Sequence, residues 1–456
     1  MLSRIKGPTQ EFLSFVRSDR DGAAMARGGV GSLAMKLLHS ALTLAVAALL
    51  ARVLGPAQFG VYAFALAVVT ILAIPIQFGL PTLVVRETAA GRARSDTATV
   101  RGIWRWSLRF ALVASVVVIL AATIFLALSW EQLSSTSRWT FQWALALAPL
   151  LALGALHGAM LRGLDRVVLG QLLDHVLRLA ILLALIVAAL AWKGELSAPR
   201  AMGMHVTAAI LALFAASAFL RRIQPDAHPV DRVVSVNSRR WILAILPLGF
   251  IAAAQIINTR ADTLLLGIMA GPESVGLYQV AVQGAQTVVL TLAAINLVVA
   301  PRFAALYERG EIERLQRLVT LSARAVVLLT LPVVLILIFC GGYLIRWIFG
   351  IEYQPAHWPL TILAAGQLAN AGFGSVAMLL NMTGHERTTA RGLAIAAALN
   401  IMLNLILIPP FGIDGAAAAT AFSLVAWNGM LWYSTQRLIG INTLAFGQTS
   451  CGIQRG

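Results

Sequence analysis

Long apolar runs divide this chain of 456 residues, and its polar residues collect in the short stretches between them. An α-helix needs ~20 residues to cross the core of a bilayer, and these runs are that long or longer. Taken in order they predict twelve spans, at about 30–52, 58–80, 104–129, 140–161, 167–191, 201–220, 241–267, 274–299, 319–342, 358–382, 389–408 and 414–436.

One pattern occurs twice. Gly55-Pro56-Ala57-Gln58-Phe59-Gly60-Val61-Tyr62 returns 216 positions later as Gly271-Pro272-Glu273-Ser274-Val275-Gly276-Leu277-Tyr278. Both copies read G-P-x-x-x-G-x-Y, and each ends one apolar run and opens another. A second pair, Gly163-Leu164-Asp165-Arg166 and Gly384-His385-Glu386-Arg387, reads G-x-acid-R at an offset of 221. The chain is therefore expected to be duplicated, with six helices in each half. An even number of spans separates the copies, so the halves share one orientation and are related by a pseudo-twofold axis along the membrane normal. Gly55 suits a left-handed helix end, and Pro56 cannot continue the helix before it. Tyr62 and Tyr278 are expected near the membrane interface, where an amphipathic ring is stable. On this basis the motif is architectural and is not a ligand site. The expected layout is an N-terminal tail at 1–29, an N-lobe at 30–220, a linker at 221–240, a C-lobe at 241–440 and a tail at 441–456.

Composition agrees. The chain is 59% hydrophobic and 12% charged, with a mean hydropathy of +0.82. A soluble domain carries roughly twice that share of charge, so a soluble all-α protein is excluded. The net charge of +16 raises the question of nucleic acid. The basic residues lie in the connections, however, which argues against a nucleic-acid partner. They also divide unequally, with 24 Arg and Lys on one side of the predicted membrane and 5 on the other. That asymmetry places both termini in the cytoplasm of a multi-pass inner-membrane protein, and both G-P turns outside. No cleavable signal peptide is visible, so the first span is expected to direct insertion.

Catalytic signatures are missing. The residues before the three lysines are Ile5, Met35 and Trp192, so there is no P-loop. No H-E-x-x-H, G-x-S-x-G or paired-carboxylate loop occurs. Cys340 and Cys451 lack zinc-ligand spacing, and no disulfide is expected between them. No cofactor or metal is implied, and a transporter is expected in preference to an enzyme.

Ionisable residues inside spans are costly, which makes them candidates for function. Asp174, His175 and Arg178 lie on helix 5, where Asp174 and Arg178 have the i,i+4 spacing of a pair. Arg260 and Asp262 lie on helix 7 beside Asn258, two positions apart, so they are not expected to share a face. Lys36 and His39 lie on helix 1. Arg260, Arg178, Lys36 and His39 are candidates for binding an anionic substrate, and Asp174, His175 and Asp262 for coupling an ion or pairing helices. For each the alternative is internal neutralisation or snorkelling. Snorkelling is the expectation for Arg105, Arg109 and Arg324. Asn400 and Asn404, with Gln367 and Asn370, are expected to bond between helices. The surplus of cations suits an anionic ligand such as a lipid diphosphate.

Here the chain resembles a known family. Ala51-Arg52-Val53-Leu54 running into the first G-P-x-x-x-G-x-Y, then Gln77-Phe78-Gly79-Leu80 and Val85-Arg86-Glu87, resembles the N-terminal signature of bacterial polysaccharide-repeat flippases. Asp262-Thr263-Leu264-Leu265-Leu266-Gly267 resembles their seventh-helix signature. Asn404-Leu405-Ile406-Leu407-Ile408-Pro409 with Gly412-Ile413-Asp414-Gly415-Ala416-Ala417 resembles their helix 11–12 turn. The resemblance implies an all-α membrane fold of the multidrug/oligosaccharidyl-lipid/polysaccharide exporter superfamily, with two six-helix lobes forming a V around a central cavity. It implies movement of an undecaprenyl-diphosphate-linked oligosaccharide between leaflets of the cytoplasmic membrane by alternating access. A proton or sodium ion is the implied coupling ion, and polymerase and chain-length proteins the implied pathway partners. The alternatives are a cation-coupled multidrug antiporter, a peptidoglycan-precursor flippase, which would have two further helices, and a membrane polysaccharide polymerase, which would carry a large external loop.

Overall fold

The computed structural model describes residues 20–192, 195–223 and 238–446, and every regular element in them is helical. The start of the expected N-terminal tail, most of the linker, Lys193 and the end of the C-terminal tail with Cys451 lie outside the described residues. The helices are α1 (Arg20–Gln77), α2 (Leu80–Ala93), α3 (Thr97–Leu128), α4 (Ser135–Gly163), α5 (Val167–Gln171), α6 (Leu177–Ala191), α7 (Ala198–Ile223), α8 (Ser238–Met269), α9 (Gly271–Glu308), α10 (Ile312–Ile348), α11 (His357–Phe373), α12 (Val376–Met382) and α13 (Glu386–Ile439). A π-turn, Leu172–Val176, joins α5 to α6, and a 3-10 turn, Ile351–Ala356, precedes α11.

Among the described residues nine helices are long and apolar enough to cross a membrane. Two of these are each two helices joined at a break. α1 breaks at Gly55 (φ 69°, ψ 171°), where the sequence predicts a left-handed turn. α13 breaks at Gly412 (φ 54°, ψ −126°), after Pro409 and Pro410. The segment of α11 with its preceding turn meets α12 at 42° and completes one further span. The twelve expected spans are thus accounted for. Gly271 opens α9 at φ 84° with Pro272 in the first turn, so both copies of the motif turn at their glycine.

Residues 81–103, expected as a loop, contain α2 and the start of α3. α2 buries Leu80, Leu83, Val84, Glu87, Thr88 and Gly91, a helical stripe, and leaves Arg86 and Arg92 exposed. It is amphipathic and only 14 residues long, which is why a search for spanning runs passes over it. Asp96 then caps α3, accepting from the Thr99 amide at 2.9 Å. The two bonds from Thr99 hold the Asp96 carboxyl below its ordinary range.

The two G-P copies pack against each other. A Cβ added at Gly60 would lie 1.7 Å from the carbonyl oxygen of Pro272, and one added at Gly276 would lie 2.3 Å from that of Pro56. The contact is reciprocal, as a pseudo-twofold axis between the copies requires. The halves also meet along α1 and α8. There Gly79 lies against Ile245, Leu248 and Gly249, Phe64 against Gly267, and the Phe78 and Phe250 rings are 5.7 Å apart.

A one-sided latch reinforces the G-P end. The Arg52 guanidinium donates to the carbonyls of Trp347 and Ile348, the last turn of α10, where a helix presents free acceptors and partial negative charge. The Tyr353 hydroxyl donates to the Ala51 carbonyl at 3.0 Å. The repeat places Ile268 opposite Arg52, and an isoleucine side chain cannot make the matching latch. Arg52→Ala is expected to cost about 1–2 kcal/mol. That should lower the melting midpoint of the detergent-purified protein by roughly 1–2 °C, with Arg52→Lys recovering part of the loss.

Residues 441–445, expected as part of a tail, are packed into the C-lobe. Ile441, Thr443 and Ala445 are buried, and Ala445 donates to the Gly372 carbonyl at 3.1 Å. Gln316 holds Asn442 through both its amide groups. Arg324, expected to snorkel, donates to the Ala445 carbonyl at 3.0 Å.

Candidate functional site

The repeated tyrosines organise two polar nodes inside the bundle. The sequence suggested interface rings, but their hydroxyls are bonded inside the bundle. Tyr62 and Tyr278 are 4% and 1% exposed. Each lies seven residues past its glycine, ~10 Å along the helix, deep enough for its hydroxyl to need an internal partner.

In the C-lobe that partner is Asp262 of α8. Its carboxylate accepts from Tyr278 at 2.9 Å, from the Asn404 amide at 2.9 Å and from the Thr420 hydroxyl. Asn400, one turn before Asn404 on α13, donates to Ser423 at 3.3 Å and accepts from Asn404 at 3.1 Å. The expected bonding of Asn400 and Asn404 between spans therefore centres on a buried acid. The Asn404 Oδ1 atom is itself buried with no donor among the described residues.

Asp262 lines a cavity of about 420 Å³ with Asn258, Arg260, Gln279, Gln286 and Gln367. Arg260 and Asp262 thus border one cavity, although two positions on a helix point apart. Both line it together with Tyr278 and Thr420. Arg260 is half-buried and makes no hydrogen bond or ion pair among the described residues.

In the N-lobe the Tyr62 hydroxyl lies 2.7 Å from His205 Nδ1, and Arg178 donates to His205 Nε2 at 2.8 Å. A nitrogen that accepts from a guanidinium carries no proton, so His205 is neutral and its hydrogen is on Nδ1. The two nodes correspond by position. His205 and Thr420 are 215 apart, one residue from the offset of the tyrosines, and Arg178 and Asn400 are 222 apart. The place of Asp262 is taken by Val46, which is buried. One lobe therefore encloses a fixed cation where the other encloses a carboxylate.

The expected Asp174–Arg178 pair does not form. The π-turn over Leu172–Val176 changes the angular step between them, and Asp174 turns to Arg162 of α4 at 3.5 Å. His175 lies 3.5 Å from the same carboxylate, and its ring centroid is 5.4 Å from that of His39. His39 Nδ1 meets the His175 carbonyl at 3.4 Å. Lys36, one turn earlier, is exposed. The sequence candidates thus separate into a His39–His175–Asp174 cluster beside Arg178, and Arg260 with Asp262 in the other lobe. His205 and Thr420 were not among them. The signal that finds them is the repeat, which assigns each lobe's last span a polar residue at the depth of its tyrosine.

Over 162 residues the chain is 27% identical to a Haloferax volcanii protein named "Probable low-salt glycan biosynthesis flippase Agl15", covering 36% of this chain and 34% of that one. The aligned stretches span only about a third of the curated relatives' length. Among solved structures, an inward-facing multidrug resistance MATE family transporter of the MOP superfamily superposes with a TM-score of 0.69 at 13% identity, covering 90% of this chain and 98% of that one. The lipid II flippase MurJ, in an inward closed conformation, superposes at 0.63 with 14% identity, covering 88% and 87%. At such identities the likeness establishes a shared fold. The model of one sequence family, polysaccharide biosynthesis protein, matches residues 25–307, well over half of the chain, and the chain belongs to that family.

Proposed function

We propose that the protein is a flippase that carries an undecaprenyl-diphosphate-linked oligosaccharide from the inner to the outer leaflet of the cytoplasmic membrane. It is a transporter, not an enzyme, and supplies the substrate of polysaccharide assembly. Family membership supports the class. The observation that carries the substrate is Arg260, a guanidinium without an acceptor on a polar cavity inside an apolar bundle. A diphosphate offers what it lacks, two charged oxygens in bidentate geometry. Arg178, Lys36 and His39 are assigned to the opposite, N-lobe wall of the path.

The basic asymmetry of the connections supports cytoplasmic termini, with the G-P contact closing the outer end. Asp262 is assigned the coupling ion. A proton would remove its charge, and a sodium ion would take oxygens from Asp262, Tyr278, Thr420 and the side-chain carbonyl of Asn404. Either would compete with the present hydrogen bonds, and so connect ion binding to the packing of the spans that carry them.

Deletion followed by lipid extraction tests this function. Undecaprenyl-diphosphate-linked repeat units should accumulate on the cytoplasmic side. Unchanged lipids with raised drug sensitivity would instead identify a multidrug antiporter. Arg260→Ala and Arg178→Ala, at normal protein levels, are each expected to reduce complementation of the deletion at least about tenfold, the loss of one charged contact. Full activity of both would remove the cationic path.

A further inference from the structure

One face of α3 remains unexplained by transport. Val100, Ile103, Trp104, Ser107 and Ala111 are buried, so the helix turns Arg105 and Arg109 outward. Trp106 fixes that rotation, with its ring 5.5 Å from Trp241 of α8 and 5.7 Å from Phe110. Below the arginines the same outward side continues as Leu112, Val113, Val116, Leu120, Ile124 and Leu128, each more than half exposed.

Nineteen residues separate Arg109 from Leu128, or ~28 Å of helix. That nearly equals the ~30 Å hydrocarbon core, so when the apolar stripe fills the core Arg109 stands at the level of the headgroup phosphates. Arg105 stands one turn above it. Like charges at i,i+4 repel each other unless an anion lies between them. Neither arginine makes a hydrogen bond or ion pair among the described residues.

We propose that this face of α3 is a binding strip for one anionic phospholipid. Its phosphate is held between Arg105 and Arg109, and an acyl chain lies along Leu112 to Ile124. A guanidinium pair fits a phosphate monoanion by both charge and fork geometry, and a zwitterionic lipid carries a cation that the pair repels. The strip is independent of what is transported, since neither polar node includes a residue of α3.

The test uses the full-length protein purified in detergent and mixed with phosphatidylglycerol or phosphatidylcholine of identical chains. Lipid retained on the protein is counted by native mass spectrometry. The wild type should retain phosphatidylglycerol in preference, and the Arg105→Gln/Arg109→Gln double variant should lose about thirty-fold in apparent affinity. Arg105→Lys/Arg109→Lys should keep part of the preference. Glycerol phosphate, the headgroup without chains, should not displace the lipid at matched concentration. The exposed pair Arg387 and Arg391 provides the control, and Arg387→Gln/Arg391→Gln should leave the preference unchanged. Equal retention of both lipids, an undiminished preference in the Arg105/Arg109 glutamine variant, displacement by glycerol phosphate, or an equal loss in the Arg387/Arg391 control would each overturn the proposal.

Discussion

Gly60→Ala is expected to abolish complementation and to destabilise the protein by about 3 kcal/mol or more, the upper range for an overpacked core. The added methyl would sit 1.7 Å from the Pro272 carbonyl oxygen and 2.5 Å from its carbon. Both obstructing atoms are backbone, at the first turn of a helix in the opposite half, so no side-chain rotation relieves them. Gly276→Ala meets the same obstacle in reverse, 2.3 Å from the Pro56 oxygen. Two other glycines separate crowding from conformation. Gly271 has φ 84° and open space around its Cβ position, so Gly271→Ala should cost only about 1–2 kcal/mol of backbone strain. Gly372 has open space and no positive φ, and Gly372→Ala should be near neutral. Thermal melts of the four purified variants check the ranking. A Gly60→Ala protein that melts with the wild type would refute the reciprocal contact.

The second large effect is expected at Asp262. Asp262→Asn preserves the shape of the side chain and removes its charge. Transport in proteoliposomes should fall at least tenfold and should lose its response to an imposed proton or sodium gradient. Protein level should change little, because the amide still offers one acceptor to the surrounding donors. Asp262→Leu should behave differently. It removes the acceptor shared by Tyr278, Thr420 and one N–H of Asn404, at about 1–3 kcal/mol for each buried donor left unpaired, and should fail to accumulate. Gradient-driven transport by Asp262→Asn at the wild-type rate would leave Asp262 a purely structural residue.

Span count, duplication and the left-handed turn at Gly55 were legible because each depends on local chemistry. Runs of apolar residues, a glycine and a proline report directly on the chain that carries them. The interior sites were less legible. Asp174 and Arg178 have the spacing of a helical pair, and only the π-turn between them redirects the acid to Arg162. Tyr62 and Tyr278 have the composition of interface residues, and their burial depends on which way two helices face in three dimensions. Arg324 resembles a snorkelling residue until the carbonyl of Ala445, more than a hundred positions away, supplies its acceptor. Helix α2 was hidden for another reason, since a window tuned to the thickness of a membrane rejects a short helix with three charges.

The meeting of Gly60 with Pro272, and of Gly276 with Pro56, bears on how the halves can diverge. Each copy of the motif is the wall against which the other fits, so neither can drift without a matching change in its twin. Away from that axis no such mutual constraint applies. There Val46 has come to stand opposite Asp262 and His205 opposite Thr420. A seam that must stay alike on both sides leaves the interiors it joins free to specialise, one around a guanidinium and the other around a carboxyl group.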